Sequence, residues 1–392
     1  MQHLIYSYKI EEVTSTKSKN EKIKKTTNIQ GEKMNIKDIV SDGFSINDLE
    51  RKISSFAFIS LSTALKSYFS TYKSSKHFFH SVLNGNSLTQ LEKDWQYGSD
   101  YIEDYSETII HFQHFIELIC KEILREKHEL LVLNVDRKHE LFYKLLFKEE
   151  VPSSDLEGLR TTEFTTTFER MCDLIKSGKM DDKYNFFTET NNKTALNKLN
   201  ILRNRIWHRG TFVLRYEALD LFIGKYILPL ILKIIDLDEY KVLKASWKYN
   251  PLDCAIDPIS EIISECSKAN YNIGKVAFLK ELGRAAYDNP IDHRFKFFND
   301  EIIKRSKRIA ESEVSFDSYS QGDKIYVCPV CGIYSLTSYL DSDGEMEEDG
   351  TYSSYWTCSW YVKCHCCSFE ISSQLKNPKD YGYDLPDYWY CL

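Results

Sequence analysis

Residues 202 to 210 read LRNRIWHRG and set two arginines, an asparagine and a histidine beside a tryptophan within six positions. On a continuous helix Asn204 and His208 stand one turn apart and share a face. Arg203 lies five positions before His208, about 140° away around the axis. The apolar stripe is Leu196, Leu199, Leu202 and Ile206, so Arg203 is expected at its edge and His208 facing the other way. An imidazole with a pKa of about 6.5 exchanges a proton near neutrality. A guanidinium clamps phosphate through paired donors and stabilises developing negative charge. Asn204 could hold the imidazole or the phosphate. No acidic pair or histidine cluster adjoins them, so the set suits metal-independent RNA cleavage, in which the 2′-hydroxyl attacks the adjacent phosphate. By spacing alone, a solvated helix end closed by Gly210 accounts for the same residues. An arginine near a core needs an acceptor, and Glu117 is the candidate. Arg205 and Arg209 share another helical edge, suited either to an RNA backbone or to solvent.

The second chemical feature is a pair of cysteine knuckles. Cys328 and Cys331 bracket Pro329 and Val330, and Cys364 and Cys367 repeat the spacing across a gap of 32 residues. Four thiolates so placed can close a tetrahedral zinc site with no position left for water, which points to a structural ion. Cys358, His365 and Cys366 are spare and could replace a ligand, Cys366 foremost, in place of Cys364 or Cys367. Six of the eleven cysteines fall between Cys328 and Cys367. In a reducing compartment that crowding favours metal over disulfide.

Elements must position both features. Ile109, Phe112, Phe115, Ile116, Ile119 and Ile123 recur at three- and four-residue steps and predict one long helix within 98 to 133. Helices are also expected from Ser45 or Asp48 onward, over "TTEFTTTFERMCDLIKSG", over "NKTALNKLNILRNRIWHRG", and over a long apolar stretch that Pro229 should kink. After residue 320 the texture becomes aromatic, β-branched and cysteine-rich, as a zinc ribbon requires. Its aromatics, Tyr326, Tyr334, Tyr355, Trp356, Trp360 and Tyr361, can stack bases or fill a small core. The tyrosine-rich end, "YGYDLPDYWYCL", reads as a docking tail or packed strap. His111 and His114, lacking nearby cysteines, read as structural.

The chain of 392 residues carries a net charge of −7 and is 42% hydrophobic. That balance argues against wholesale coating of DNA or an anionic membrane. The apolar run 226 to 237 is too short to span a bilayer, and the reading is of a cytoplasmic protein without membrane contact. Four regions are expected: an N-terminal arm and helices (1–97), a helical bundle (98–237), a helical connector (238–320), and a zinc ribbon with its tail (321–392).

The stretch LRNRIWHRG resembles the Arg-x4–6-His signature of the HEPN (higher eukaryotes and prokaryotes nucleotide-binding) ribonucleases. "FQHFIELICKEILREKHELLVL", with its Glu117 and Lys121 pair, looks like that family's first long helix, and "TTEFTTTFERMCDL" like the segment before the signature helix. The resemblance covers about 100 to 237. It implies a mainly α protein, a HEPN-like bundle with flanking helices, that pairs as a homodimer. It further implies a composite metal-independent endoribonuclease site: Arg203 for phosphate positioning, His208 for proton transfer and Asn204 for orientation, supported by Glu117 and Lys121. A toxin or anti-phage role follows by the same resemblance, with RNA as substrate and a phage-derived or antitoxin regulator. The other reading is a non-catalytic dimerisation or sensor protein whose ribbon binds nucleic acid or a protein.

Overall fold

The computed structural model describes residues 36, 54–75, 89–134, 139–147, 149–152, 159–291, 296–315, 322–346 and 352–391. The arm at 12–35 and the start signals at Ser45 and Asp48 lie outside them. Two helices organise the core. Helix α1 (Ser54–Ser70) packs along α3 (Ser99–Lys127), with the short capped α2 (Gln90–Asp94) between them in sequence. All six apolar positions expected on α3 are buried. Phe115 meets Phe58 of α1 edge-on, with ring centroids 5.6 Å apart. Full burial of each such side chain contributes roughly 1.5–3 kcal/mol.

Strand β1 (Leu133–Asn134) comes before α4 (His139–Leu146) and pairs antiparallel with β2 (Arg160–Thr161), which leads into α5 (Phe164–Lys176). Phe164, Phe168, Met171, Cys172 and Ile175 bury one face of α5. Helix α6 (Thr190–Arg209) carries the basic stretch and ends at Gly210. At φ 61°, Gly210 donates its N–H to the carbonyls of Arg205 and Ile206, the left-handed stop that glycine tolerates. Both α5 and α6 pack on α3.

The expected proline kink takes a different form. Helix α7 (Tyr216–Phe222) runs into one π-helical turn (Ile223–Ile227) and on into α8 (Leu228–Ile235), where Pro229 occupies the first turn. Widening the helix there accommodates a residue that lacks an N–H and crowds the carbonyl four positions back. The short α9 (Asp238–Lys241) and α10 (Lys244–Trp247) precede α11 (Pro258–Cys266), α12 (Ile273–Asp288) and α13 (Lys296–Glu313).

The C-terminal part is a four-stranded antiparallel sheet ordered β3 (Gly322–Val327), β4 (Tyr334–Met346), β5 (Tyr352–Cys364), β6 (Glu370–Ser372). It is tied to the helices by buried polar contacts. Arg284 of α12 donates to the Ser368 carbonyl at 2.6 Å, and the Glu370 N–H donates to Glu281 at 2.8 Å. The expected tail is a packed strap: Tyr388 is fully buried. Among the described residues, no helix is long and apolar enough to cross a membrane.

Candidate functional site

A cleft of about 280 Å³ lies where α3, α5 and α6 meet. Asn200, Arg203, Asn204, Trp207 and His208 of α6 line it, with Glu117 of α3. These α6 positions step by three and four, so they form a single helical face. Arg203 and His208 flank that face, and both side chains reach the same cleft from its edges. Arg203 and His208, expected to face apart, both line this one cleft.

Two further elements hold the cleft. The first turn of α5 contributes Glu163, Phe164 and Thr165, and the Asn200 amide nitrogen donates to the Thr165 hydroxyl at 3.2 Å. On α3, Glu117 accepts from Lys121 at 2.6 Å and from the Gln113 amide at 2.9 Å. Lys121 also donates to the Thr161 hydroxyl at 3.1 Å, which fixes the pair against β2. The anticipated Glu117–Arg203 ion pair is not formed, because Lys121, one turn along the same helix, takes the carboxylate first. Arg203 instead donates to the Asn204 side-chain oxygen at 3.0 Å and lies 5.5 Å from the centre of the Trp207 ring. Among the described residues it has no carboxylate partner, so its charge remains available to an anion. Asn204 therefore orients the guanidinium, not the imidazole. Trp207 is 65% exposed, an uncommon position for so large a ring. Arg205 stacks on Phe212 at 4.7 Å and Arg209 is exposed at the helix end; neither lines the cleft.

His111 and His114 lie on α3, outside the cysteine cluster. His114 shares a hydrogen bond of 2.8 Å with Ser60, and burial holds its pKa below the ordinary imidazole value.

The four cysteines converge. Cys328, Cys331, Cys364 and Cys367 are all buried, with sulfurs within 4.8 Å of one another. Cys328 and Cys367 stand 3.5 Å apart, Cys331 and Cys364 3.7 Å. Four sulfurs about 2.3 Å from one tetrahedral ion would be separated by about 3.8 Å, so the site fits zinc. Cys366 is not a fourth ligand; its backbone N–H donates to the Cys364 sulfur at 3.4 Å. The two knuckles share a backbone design. The Cys328 N–H donates to the Ile333 carbonyl and the Cys364 N–H to that of Phe369. Gly332 at φ 71° and Ser368 at φ 61° follow their respective last ligands. The role of Ser368 was missed in the sequence, where only its spacing, matching that of Gly332, could have betrayed it.

One cysteine expectation is overturned. Cys358 pairs with Cys391 in a disulfide, because an isolated antiparallel bridge sets their backbones side by side. Cys391 lies outside the crowded segment, and only the returning strap makes it a neighbour.

No family model, curated protein or solved structure matches this chain. The resemblance over 100 to 237 therefore rests on residue types and helix order alone. What stands without it is a mainly helical protein with a C-terminal β module and a four-cysteine cluster able to chelate a metal.

Proposed function

We propose that the α3–α5–α6 cleft is an RNA-cleaving site of the HEPN type that works without metal. The observation that carries this is a carboxylate-free Arg203 lining the same cleft as His208. Arg203, steadied by Asn204, holds the scissile phosphate. His208 takes the proton of the 2′-hydroxyl as that oxygen attacks phosphorus; the P–O5′ bond breaks, the 5′-oxygen leaves with a proton from solvent, and Glu117 with Lys121 braces the α3 wall. Pairing into a homodimer is carried by the resemblance alone. Wild type and His208→Ala, expressed at equal levels, should differ in the integrity of cellular RNA. Cleavage should survive EDTA and leave cyclic phosphate ends. Equal RNA integrity from two folded proteins would sink this reading.

A second reading rests on the four-cysteine cluster: a non-catalytic binding or sensor protein whose ribbon recognises nucleic acid or a protein partner. It asks less of the molecule, since it needs no proton transfer from His208. The cysteine geometry supports it more directly than any observation supports catalysis. RNA that binds but is never cut, with binding lost on metal removal, would select it.

A further inference from the structure

The β module carries a groove that neither the cleft nor the metal cluster uses. It has a volume of about 530 Å³ and is walled by Trp356, Trp360, Trp389 and Tyr390, with Asp341 at its edge and Ser359 between. Its construction begins with a slip in register. Tyr339 pairs with Tyr361, but Leu340 pairs with Ser359, so Trp360 is an extra residue in β5. Such a bulge breaks the alternation of the strand and lets successive side chains, here Ser359 and Trp360, line one concavity. The strap supplies the other wall. The Ser359 N–H donates to the Tyr390 carbonyl at 2.8 Å, and the Cys358–Cys391 disulfide pins the strap to the middle of β5.

The residues in these walls point to a ligand. Trp356 and Trp360 remain 38% and 44% exposed, although a small β module has every reason to bury its indoles. Ser359 is only 3% exposed, and among the described residues its hydroxyl has no hydrogen-bond partner; the Trp389 Nε1–H is likewise buried without one among them. Each such group costs stability until a partner arrives. An occupant should therefore present a flat face to the indoles, an acceptor for Trp389 or Ser359, and donors for the Asp341 carboxylate. A quaternary ammonium suits the rings and the carboxylate but offers nothing to an indole N–H. A purine of the guanine pattern offers all three: its ring stacks, its N1–H and amino group donate, and O6 and N7 accept.

We propose that this groove binds a guanine base. The base could come from a free guanine nucleotide or from single-stranded RNA, and the test separates the two. The inference is independent of catalysis at the α6 cleft. Binding to the full-length, zinc-loaded protein is measured by calorimetry with GMP, AMP, tetramethylammonium, and an RNA hexamer containing one guanine or none. GMP should bind at least tenfold more tightly than AMP, and Trp360→Ala and Asp341→Asn should each weaken it tenfold or more. A guanine hexamer much tighter than GMP assigns the source to RNA; equal affinities assign it to the nucleotide. Because Trp360→Ala could disturb the sheet, Asp341→Asn, on an exposed side chain, is the deciding variant, with zinc content as the folding control. No GMP or hexamer binding, equal binding of AMP and GMP, preference for tetramethylammonium, or binding indifferent to Asp341→Asn would overturn the proposal.

Discussion

At the scale of single residues, the least expected feature is a buried ion pair. Lys280 of α12 and Asp220 of α7 are both fully buried and in contact; Lys280 also donates to the Thr71 hydroxyl at 2.8 Å and lies over the Tyr216 ring at 3.9 Å. Removing one partner strands the other charge without solvent, so Lys280→Met should cost about 3–5 kcal/mol in denaturant unfolding. The double change Lys280→Met with Asp220→Leu should recover much of that loss. Asp104 poses a different case. Burial raises its pKa to about 6, above the usual carboxylate range, with nearby Glu107 adding to the shift. A carboxyl whose folded pKa is raised supports folding most below its unfolded pKa near 4 and loses that contribution as pH rises through 6. Asp104→Asn should therefore stabilise the protein at pH 7, by about 1–2 kcal/mol after screening. The gain should vanish near pH 4, which thermal melts across that window would check.

At the scale of elements, the two cysteine knuckles and the π turn show how backbone geometry serves chemistry. In the first knuckle, a Cβ on Gly332 would lie 2.5 Å from an Asp253 oxygen, at a φ that side chains rarely adopt. Gly332→Ala should lower both zinc content and melting temperature, whereas Ser368→Gly, at the equivalent position, should leave zinc content unchanged. Metal analysis should find about one zinc per chain; its absence would reject the ribbon reading. Gly224 lets the π turn approach α11, since an added Cβ would fall 2.5 Å from the Cys266 sulfur. Overpacking there should cost about 1–3 kcal/mol for Gly224→Ala.

At the scale of the whole molecule, the question is how many chains make one cleft. Arg203 and His208 line it together from one chain. If one chain completes the site, mixing Arg203→Ala chains with His208→Ala chains should not restore RNA cleavage. Recovery in the mixture would show that the site is shared between subunits. The sheet also leans on the helices through Arg284, which forms a paired contact with Glu281 and reaches Asp288 at 2.8 Å. Since Ser368 of the second knuckle receives Arg284, chelating the zinc should loosen the seam as well as the ribbon. Faster hydrogen exchange in α12 after chelation would register that coupling.

Much of this was legible from residue order because it depends on local periodicity. The α3 stripe, the Gly210 stop and the paired knuckles each follow from spacing along a few turns or one hairpin. The Arg203–Asn204–His208 set was legible as candidate chemistry for the same reason. What lay beyond reach were choices made between elements far apart in sequence. The strap bringing Cys391 to Cys358 and Lys280 meeting Asp220 both depend on three-dimensional proximity. Periodicity determines which face of a helix is apolar. Only tertiary packing decides which polar groups then share a dry space, and so which of them keep a charge to offer a ligand.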